Sequence, residues 1–274
     1  MREYSNRISL TKNARGIYSL DTSIGCSSGM ANEKGGCFGD CYAAKSAKIY
    51  GYDFSKTVYR YFENEKHRRK IVLQISKIPM GFVRIGTSGD PSEDWNHTID
   101  VCRKIENCNK QIVIITKHWT LLSKEDLQYI SKANICINTS VSALDKPHII
   151  EKCIEQYNKL KQYCKSVLRI VTCDFNTDNE YGKEFSLIQQ RLLLNDNLLE
   201  TVLRLNKNSE LIKNGIVNYS KSKFLGNNTT ISKRKSSIYF GHCSKCHEMC
   251  GIGMKPVGYN YPQKKGVIEQ LSLI

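Results

Sequence analysis

The sequence of 274 residues predicts an α/β fold, which we assign to a partial (β/α)6 TIM-like barrel with a small cysteine-rich C-terminal extension. A doubly wound open sheet and a full barrel fit the same number of strand–helix units. Short, almost continuously apolar segments alternate with helical patterns, which is typical of a parallel sheet covered by helices. Polar residues follow the ends of these segments, where parallel α/β folds build their sites. Six of the twelve cysteines form two triplets, one early and one late in the chain.

The elements follow in order from this alternation. We expect a strand within residues 16–20, a glycine-rich cysteine loop, and two helices over 42–50 and 55–76. Ser123 is the expected N-cap of a later helix, with Asp126 at its third position. Strands are predicted at 81–86, 111–116, 134–140, 167–172 and 215–219. Helices are predicted at 96–106, 123–132, 147–163 and 184–194, with a candidate second helix from Asp196.

We divide the chain into a barrel of residues 1–220 and a module of residues 221–274. The stretch 220–237 is rich in Lys, Ser and Asn and poor in apolar residues, which predicts an exposed basic loop. The second cysteine triplet follows this loop. The six cysteines outside the triplets lie mostly in apolar or helical contexts and are expected to be buried small side chains.

The formal net charge is +15. Such a surface favours polyanionic partners, nucleic acid first, although a lysine-rich solvated surface explains the charge equally well. No signal-peptide pattern opens the sequence, and no apolar run approaches the roughly 20 residues needed to cross a bilayer. We therefore expect a cytoplasmic protein with no membrane partner, whose cysteines stay reduced.

The first triplet, Cys26, Cys37 and Cys41, lies in the glycine-rich loop. Three thiolates can hold three irons of a four-iron cluster and leave the fourth iron open to another ligand. Zinc would need a fourth protein ligand, and the first histidine in the sequence is His67. We therefore expect a 4Fe–4S cluster at these cysteines, the alternative being three unrelated cysteines in a loop.

This loop and the turn Gly86–Asp90 after the second strand resemble the radical S-adenosylmethionine (radical SAM) superfamily, and are similar to divergent phage- and plasmid-borne members near spore photoproduct lyase. The spacing Cys-x10-Cys-x3-Cys is longer than the usual Cys-x3-Cys-x2-Cys. The likeness spans roughly residues 17–220. It implies a barrel enzyme that takes electrons from a reductant such as flavodoxin or ferredoxin and cleaves S-adenosylmethionine to a 5′-deoxyadenosyl radical.

The resemblance also implies cofactor-binding residues at the strand ends. Ser88 and Asp90 stand where the family binds the methionine amino group. The segment 138–142 is similar to the hydroxyl-bearing strand that meets the ribose or carboxylate, and Arg169 would face the methionine carboxylate. The implied cofactor-binding residues are Ser88, Asp90, Thr139, Ser140, Ser142 and Arg169.

The second triplet, Cys243, Cys246 and Cys250, is interleaved with His242 and His247. This density of soft ligands indicates a second metal site. An auxiliary iron–sulfur cluster would use the three thiolates, whereas a structural zinc would add one histidine. Iron fits a redox role and zinc fits a small nucleic-acid-binding knuckle, and we favour iron–sulfur with zinc left open.

Cys173 directly follows the fifth predicted strand and is the candidate catalytic residue, as a hydrogen-atom donor to a substrate radical. A buried thiol is the alternative. The sequence thus predicts a radical SAM enzyme that modifies a substrate, with nucleic acid favoured by the charge. The alternatives are a radical SAM maturase of a peptide or protein and a non-enzymatic, zinc-stapled nucleic-acid-binding protein.

Overall fold

A computed structural model describes residues 2–33, 38–224 and 227–254, so Cys37 lies outside the described residues. The strands are β1 (Thr11–Lys12), β2 (Tyr18–Ser19), β3 (Ser23–Ile24), β4 (Val58–Tyr59), β5 (Phe82–Ile85), β6 (Gln111–Thr116), β7 (Ile135–Ser142), β8 (Lys165–Thr172), β9 (Leu198–Leu205), β10 (Ser220–Phe224) and β11 (Asn227–Ser232). The helices are α1 (Ser27–Glu33), α2 (Tyr42–Ile49), α3 (Glu65–Ser76), α4 (Trp95–Ile105), α5 (Lys124–Lys132), α6 (Pro147–Leu160), α7 (Glu180–Leu192) and α8 (Glu210–Lys213).

Within these residues, nine strands form one sheet in the order β1-β2-β5-β6-β7-β8-β9-β11-β10. The strands from β2 to β9 in that order pair in parallel, and the pairings outside them are antiparallel. Helices connect the successive parallel strands from β5 onward. The predicted α/β class, with a large and mostly parallel sheet, is confirmed.

Side chains alternate between the two faces of each strand, and the two faces have different neighbours. On one face, Ile112 and Ile114 of β6 pack in a core with Ile75 of α3 and Ile99 of α4. On the opposite face, a second cluster brings together one early residue from each of five strands and the C-terminal segment. Its buried members are Ile17, Phe82, Val113, Cys136, Val167, Leu199 and Cys243.

Side chains cap the N-termini of most of the longer helices, because the first N–H groups of a helix lack partners within it. Ser123 accepts the Asp126 N–H at 3.1 Å, as predicted. Asp94 does the same for the His97 N–H of α4, and Asn179 for the Gly182 N–H of α7. The six cysteines outside the triplets are all buried, which also confirms the prediction.

Two elements before and after the central sheet differ from the prediction. The helix expected from residue 55 begins only at Glu65, because Asn64 caps it and residues 58–59 form β4. The strand expected at 215–219 is absent. Val217 forms only an isolated bridge with Phe175 there.

The region from residue 196 onward also differs. β9 occupies the segment where a second helix was a candidate, and a β-hairpin of β10 and β11 replaces the expected loop. β11 pairs with β9, so the sheet continues past residue 220. The division of the chain there stays a prediction. Among the described helices, none combines the length and the apolar character that a bilayer crossing requires.

Candidate functional site

A cavity of about 560 Å³ lies at the carboxyl ends of the parallel strands. Its wall includes Arg84, Ser140, Arg169 and Thr201, from four different strands, on the sheet face that the helices leave uncovered. Cys26 and Cys41 line the same cavity. The structure therefore brings two cysteines of the first triplet to the strand ends that the sequence singled out.

The turn after β5 is held by a buried carboxylate. Asp21 accepts the backbone N–H groups of Gly86, Thr87 and Ser88 at 3.1, 2.7 and 3.2 Å. Burial raises the pKa of the Asp21 carboxyl, and the N–H of Thr87 and the charge of Arg84 act in the opposite direction. These three bonds fix the backbone of the turn that carries Ser88 and Asp90.

The cysteine loop meets this turn directly. The Gly25 N–H donates to the Ser88 carbonyl at 3.0 Å, and Gly25 forms a parallel bridge with Gly89. A Cβ on Gly25, whose φ is +90°, would lie 1.9 Å from the Lys56 carbonyl oxygen. Only glycine fits both this φ and this contact. The backbone before Cys26 is therefore held in a fixed position next to the β5 turn.

Cys26 lies at the start of α1. Glu93 accepts the Ser28 N–H at 2.9 Å and the hydroxyls of Ser27 and Ser28, which places a carboxylate at the helix N-terminus. A Cβ on Gly29 would lie 2.5 Å from the Cys26 sulfur. Glycine at that position therefore leaves open space beside the thiol.

Cys41 directly precedes α2. Its neighbours bond the cysteine loop to both edges of the β5–β9 series of strands. The Tyr42 hydroxyl donates to the Thr87 carbonyl at 2.6 Å, at the β5 turn. Asp40 accepts the Asn206 N–H at 3.2 Å and the Ser209 hydroxyl at 2.8 Å, just after β9. The loop therefore spans the cavity from the first strand of the β5–β9 series to the last.

Both thiols line the cavity and are partly buried. Burial raises the pKa of the Cys26 and Cys41 thiols, and backbone N–H groups of Gly29 at Cys26 and of Ala44 and Ala43 at Cys41 act in the opposite direction. Metal coordination deprotonates such thiols outright. Buried thiolates with N–H donors fit the ligands of an iron–sulfur cluster.

Of the implied cofactor-binding residues, four line the cavity with these cysteines: Ser88, Asp90, Ser140 and Arg169. Asp90 accepts the Ser92 and Thr116 hydroxyls on Oδ1 and the Lys117 N–H on Oδ2, each at 2.7 Å. Its carboxylate therefore ties the β5 turn to the end of β6, in the wall of the cavity.

The other two implied residues point elsewhere. Thr139 is buried on the opposite side of β7 from Ser140, with its hydroxyl 2.9 Å from His118 Nε2. The Ser142 hydroxyl accepts the Leu144 N–H and so shapes the turn after β7. Neither side chain lines the cavity. A one-residue step along a strand reverses the face, which accounts for Thr139.

Cys173, the candidate catalytic residue, is fully buried in an apolar cluster with Phe175, Leu203 and Val217, and it is not part of the cavity wall. Its backbone N–H and carbonyl are both bonded to the Gln189 side chain at 2.9 Å. Burial raises the pKa of its thiol well above the ordinary value. The geometry corresponds to a packed core thiol, and the catalytic role of Cys173 stays a prediction.

The cysteines of the second triplet line a narrower recess that shares Arg15, Arg84 and Arg169 with the large cavity. Asn138 donates to the Cys250 carbonyl at 3.1 Å, and Lys165 donates to the Ile252 carbonyl at 2.5 Å. These bonds dock the C-terminal segment against β7 and β8. Met249 and Cys250 have φ values of +42° and +56°, a left-handed backbone unusual outside glycine.

Across the described ranges, no group of three or more His, Cys, Asp or Glu side chains is arranged to hold a metal ion. For the first triplet this result leaves out Cys37. For the second triplet all three cysteines and both histidines are described, and they do not meet at one point. The structure therefore gives the second triplet no preformed metal site, and its iron or zinc stays a prediction.

Several residues of the site carry no signal in the sequence, because their partners are distant along the chain. Asp21 and Asp40 belong to this group, as does the buried pair of Lys117 and Asp145, 2.5 Å apart. Arg204 is another, with its guanidinium 4.8 Å from the Tyr42 ring.

Several basic residues of α3 and of the segment after β11 are paired with carboxylates. Arg68 and Arg69 of α3 both pair with Glu65, and Arg234 and Lys235 both pair with Glu200. The three arginines and Lys235 therefore form ion pairs with carboxylates of the same chain.

Neither a protein-family model nor a curated protein sequence matches the chain.

Proposed function

We propose that the chain is a radical SAM enzyme, in which Cys26, Cys37 and Cys41 hold a four-iron cluster and the cavity receives S-adenosylmethionine and a substrate. The observation that carries the proposal is the convergence of Cys26 and Cys41 with Ser88, Asp90 and Arg169 in one cavity. The net charge of +15 favours a polyanionic substrate such as nucleic acid.

We also propose that the parallel strands curve into a partial barrel around this cavity. Phe82 of β5 and Leu199 of β9 are separated by three strands in the sheet order, yet both line the one narrow recess that holds the second cysteine triplet. Asp40 supports the same curvature, because its loop begins at the β5 turn and is bonded just after β9. In such a barrel the strand ends form the mouth of the site.

When bound, the cluster and S-adenosylmethionine supply one-electron reductive cleavage of the sulfonium. The chain's own residues orient and enclose the reactants. The Asp90 carboxylate would bind the methionine amino group, and the Arg169 guanidinium would bind the methionine carboxylate. Tyr42 and Asp40 hold the cysteine loop over the strand ends, which restricts the entry of water.

Anaerobic reconstitution with iron and sulfide tests the proposal. We expect a brown protein with about four irons at the first triplet, and dithionite-dependent release of 5′-deoxyadenosine from S-adenosylmethionine. Cys26→Ala and Cys41→Ala should abolish both signals. Cys102→Ala removes a thiol buried in α4, away from the cavity, and should keep them.

A colourless protein that contains only zinc and cleaves no S-adenosylmethionine contradicts the proposal and favours the nucleic-acid-binding alternative. Retention of iron and of cleavage activity in Cys41→Ala would also contradict it.

A further inference from the structure

Four arginines from different parts of the chain line the cavity: Arg15, Arg84, Arg169 and Arg204. The guanidinium carbons of Arg15 and Arg204 each lie 5.6 Å from the Phe240 ring, so one ring joins them. Burial lowers the pKa of Arg204 to about 10, and the charges of Arg15, Arg169 and Arg84 act in the same direction. The four side chains therefore form one cluster of like charge.

In the part of the chain that the structure describes, no Asp or Glu lies within 4.0 Å of the guanidinium groups of Arg84, Arg169 or Arg204. Asp21, whose charge acts on Arg84, is bonded to three backbone N–H groups. Glu200 is bonded to Arg234 and Lys235 instead.

Two other groups also face the cluster. The charge of Arg169 acts on Glu248, and Arg84 and Arg169 both lie near the Cys250 thiol. Arg204 is placed differently, over the Tyr42 ring next to Cys41. S-adenosylmethionine would bring one carboxylate together with a sulfonium cation, so it adds no net negative charge. Guanidinium groups donate forked pairs of hydrogen bonds, which match the oxygens and the negative charge of a phosphate group.

We propose that the cluster of Arg15, Arg84, Arg169 and Arg204 binds a phosphate group of the substrate, with Arg169 shared between this phosphate and the methionine carboxylate. The inference deepens the proposed function, since it assigns a substrate class to the same cavity, and it rests on that function only for the statement that the phosphate belongs to a substrate. Phosphate binding itself needs neither iron nor S-adenosylmethionine.

Calorimetric titration of the full chain, before iron is added, tests the inference. The probes are adenosine 5′-monophosphate, a single-stranded DNA oligonucleotide, adenosine and succinate. We expect binding of the two phosphate-bearing probes and none of the other two. Tighter binding of adenosine 5′-monophosphate identifies the substrate as a small phosphate ester, and tighter binding of the oligonucleotide identifies it as a nucleic acid.

Arg204→Ala should raise the Kd of the tighter-binding phosphate probe about tenfold or more, as for a lost charge-assisted hydrogen bond. Arg204→Lys should give an intermediate loss, because it keeps the charge without the planar fork. The matched control is Arg103→Ala. Arg103 is exposed and lies 4.7 Å from the Tyr129 ring, so it makes a similar ring contact on the surface, and its loss should change the Kd less than twofold.

The inference is overturned if succinate binds as tightly as the phosphate probes, or if Arg103→Ala weakens binding as much as Arg204→Ala. It is also overturned if Arg204→Ala and Arg169→Ala reduce metal content and leave phosphate binding unchanged, since the arginines would then compensate metal-bound thiolates. Intact phosphate binding without cleavage of S-adenosylmethionine supports the phosphate site and contradicts only the proposed function.

Discussion

Gly25 shows how one residue positions the candidate cluster site. Its φ of +90° and its contact with the Lys56 carbonyl both exclude a side chain. Gly51 has a similar φ of +79°, yet a Cβ there would meet nothing within 4 Å. A substitution at Gly51 therefore adds only the strain of a left-handed backbone, whereas a substitution at Gly25 adds a steric clash as well.

We expect Gly25→Ala to destabilise the protein by roughly 2 kcal/mol more than Gly51→Ala, because only the first change adds an overlap to the backbone strain. Urea denaturation of both variants measures the difference. Iron content after reconstitution should fall for Gly25→Ala and stay at the wild-type level for Gly51→Ala. Equal losses of stability would show that the loop yields to the added methyl group.

His118 is a second single residue with a measurable consequence. It is buried beside Trp95, and burial lowers its pKa from 6.5 to about 3, with the charge of Lys152 acting in the same direction. Below pH 6.5 the unfolded chain therefore binds more protons at His118 than the folded chain does. Its stabilising contribution is complete above pH 6.5 and is lost as the pH falls towards 3, by up to about 1.4 kcal/mol per pH unit.

His118→Asn should therefore flatten the fall in stability between pH 6.5 and pH 4. Asparagine tolerates the positive φ of 53° at this position. The measurement is the free energy of unfolding in urea at several pH values. His148→Asn changes an exposed histidine of α6 and should keep the wild-type slope. If the two variants have the same slope, His118 is not the neutral buried group described here.

At the scale of elements, the cysteine loop depends on bonds to segments far from it in sequence. Asp40 accepts an N–H and a hydroxyl after β9. Asp53 likewise accepts the N–H and hydroxyl of Ser55, two residues away, so its bonds are only local. A comparison of variants at Asp40 and Asp53 therefore tests whether the bonds from the cysteine loop to the segment after β9 stabilise the loop.

Asp40→Ala should speed the loss of iron to a chelator at least about tenfold, because the loop that carries Cys41 is released at one end. Asp53→Ala should leave the rate close to that of the wild type. The change in unfolding free energy should be small for both variants, as for partly exposed hydrogen bonds. Similar iron-loss rates for both variants would rule out the bridging role.

The elements also show where sequence patterns were sufficient. β6 and the cap of α5 agree with the prediction, because a run such as Gln111–Thr116 is short, apolar and bounded by polar residues. β9 was missed, since Leu, Glu and Arg in Leu198–Leu205 are helix formers. Pairing with β8 on one side and β11 on the other overrides that propensity.

At the scale of the whole molecule, the sheet uses its two faces for different purposes. Helices cover one face, while the other holds the cavity and, at the starts of the strands, the docked C-terminal segment. The location of the site at the strand ends could be predicted from the parallel pattern. The arginine cluster could not, because Arg15, Arg84, Arg169 and Arg204 are spread over the chain and meet only when the sheet has formed.

The bonds of Asp40 have a consequence for biosynthesis. Their partners, Asn206 and Ser209, lie 166 and 169 residues further along the chain. At a translation rate of roughly 5–20 residues per second, the ribosome needs on the order of 10–30 s to make that stretch. During this interval the nascent loop has nothing to hold Asp40, and its thiols are open to iron donors and to oxidants alike. For the proposed cluster, iron would therefore reach the thiols most easily while the polypeptide is still being made, and oxidants would reach them in the same interval.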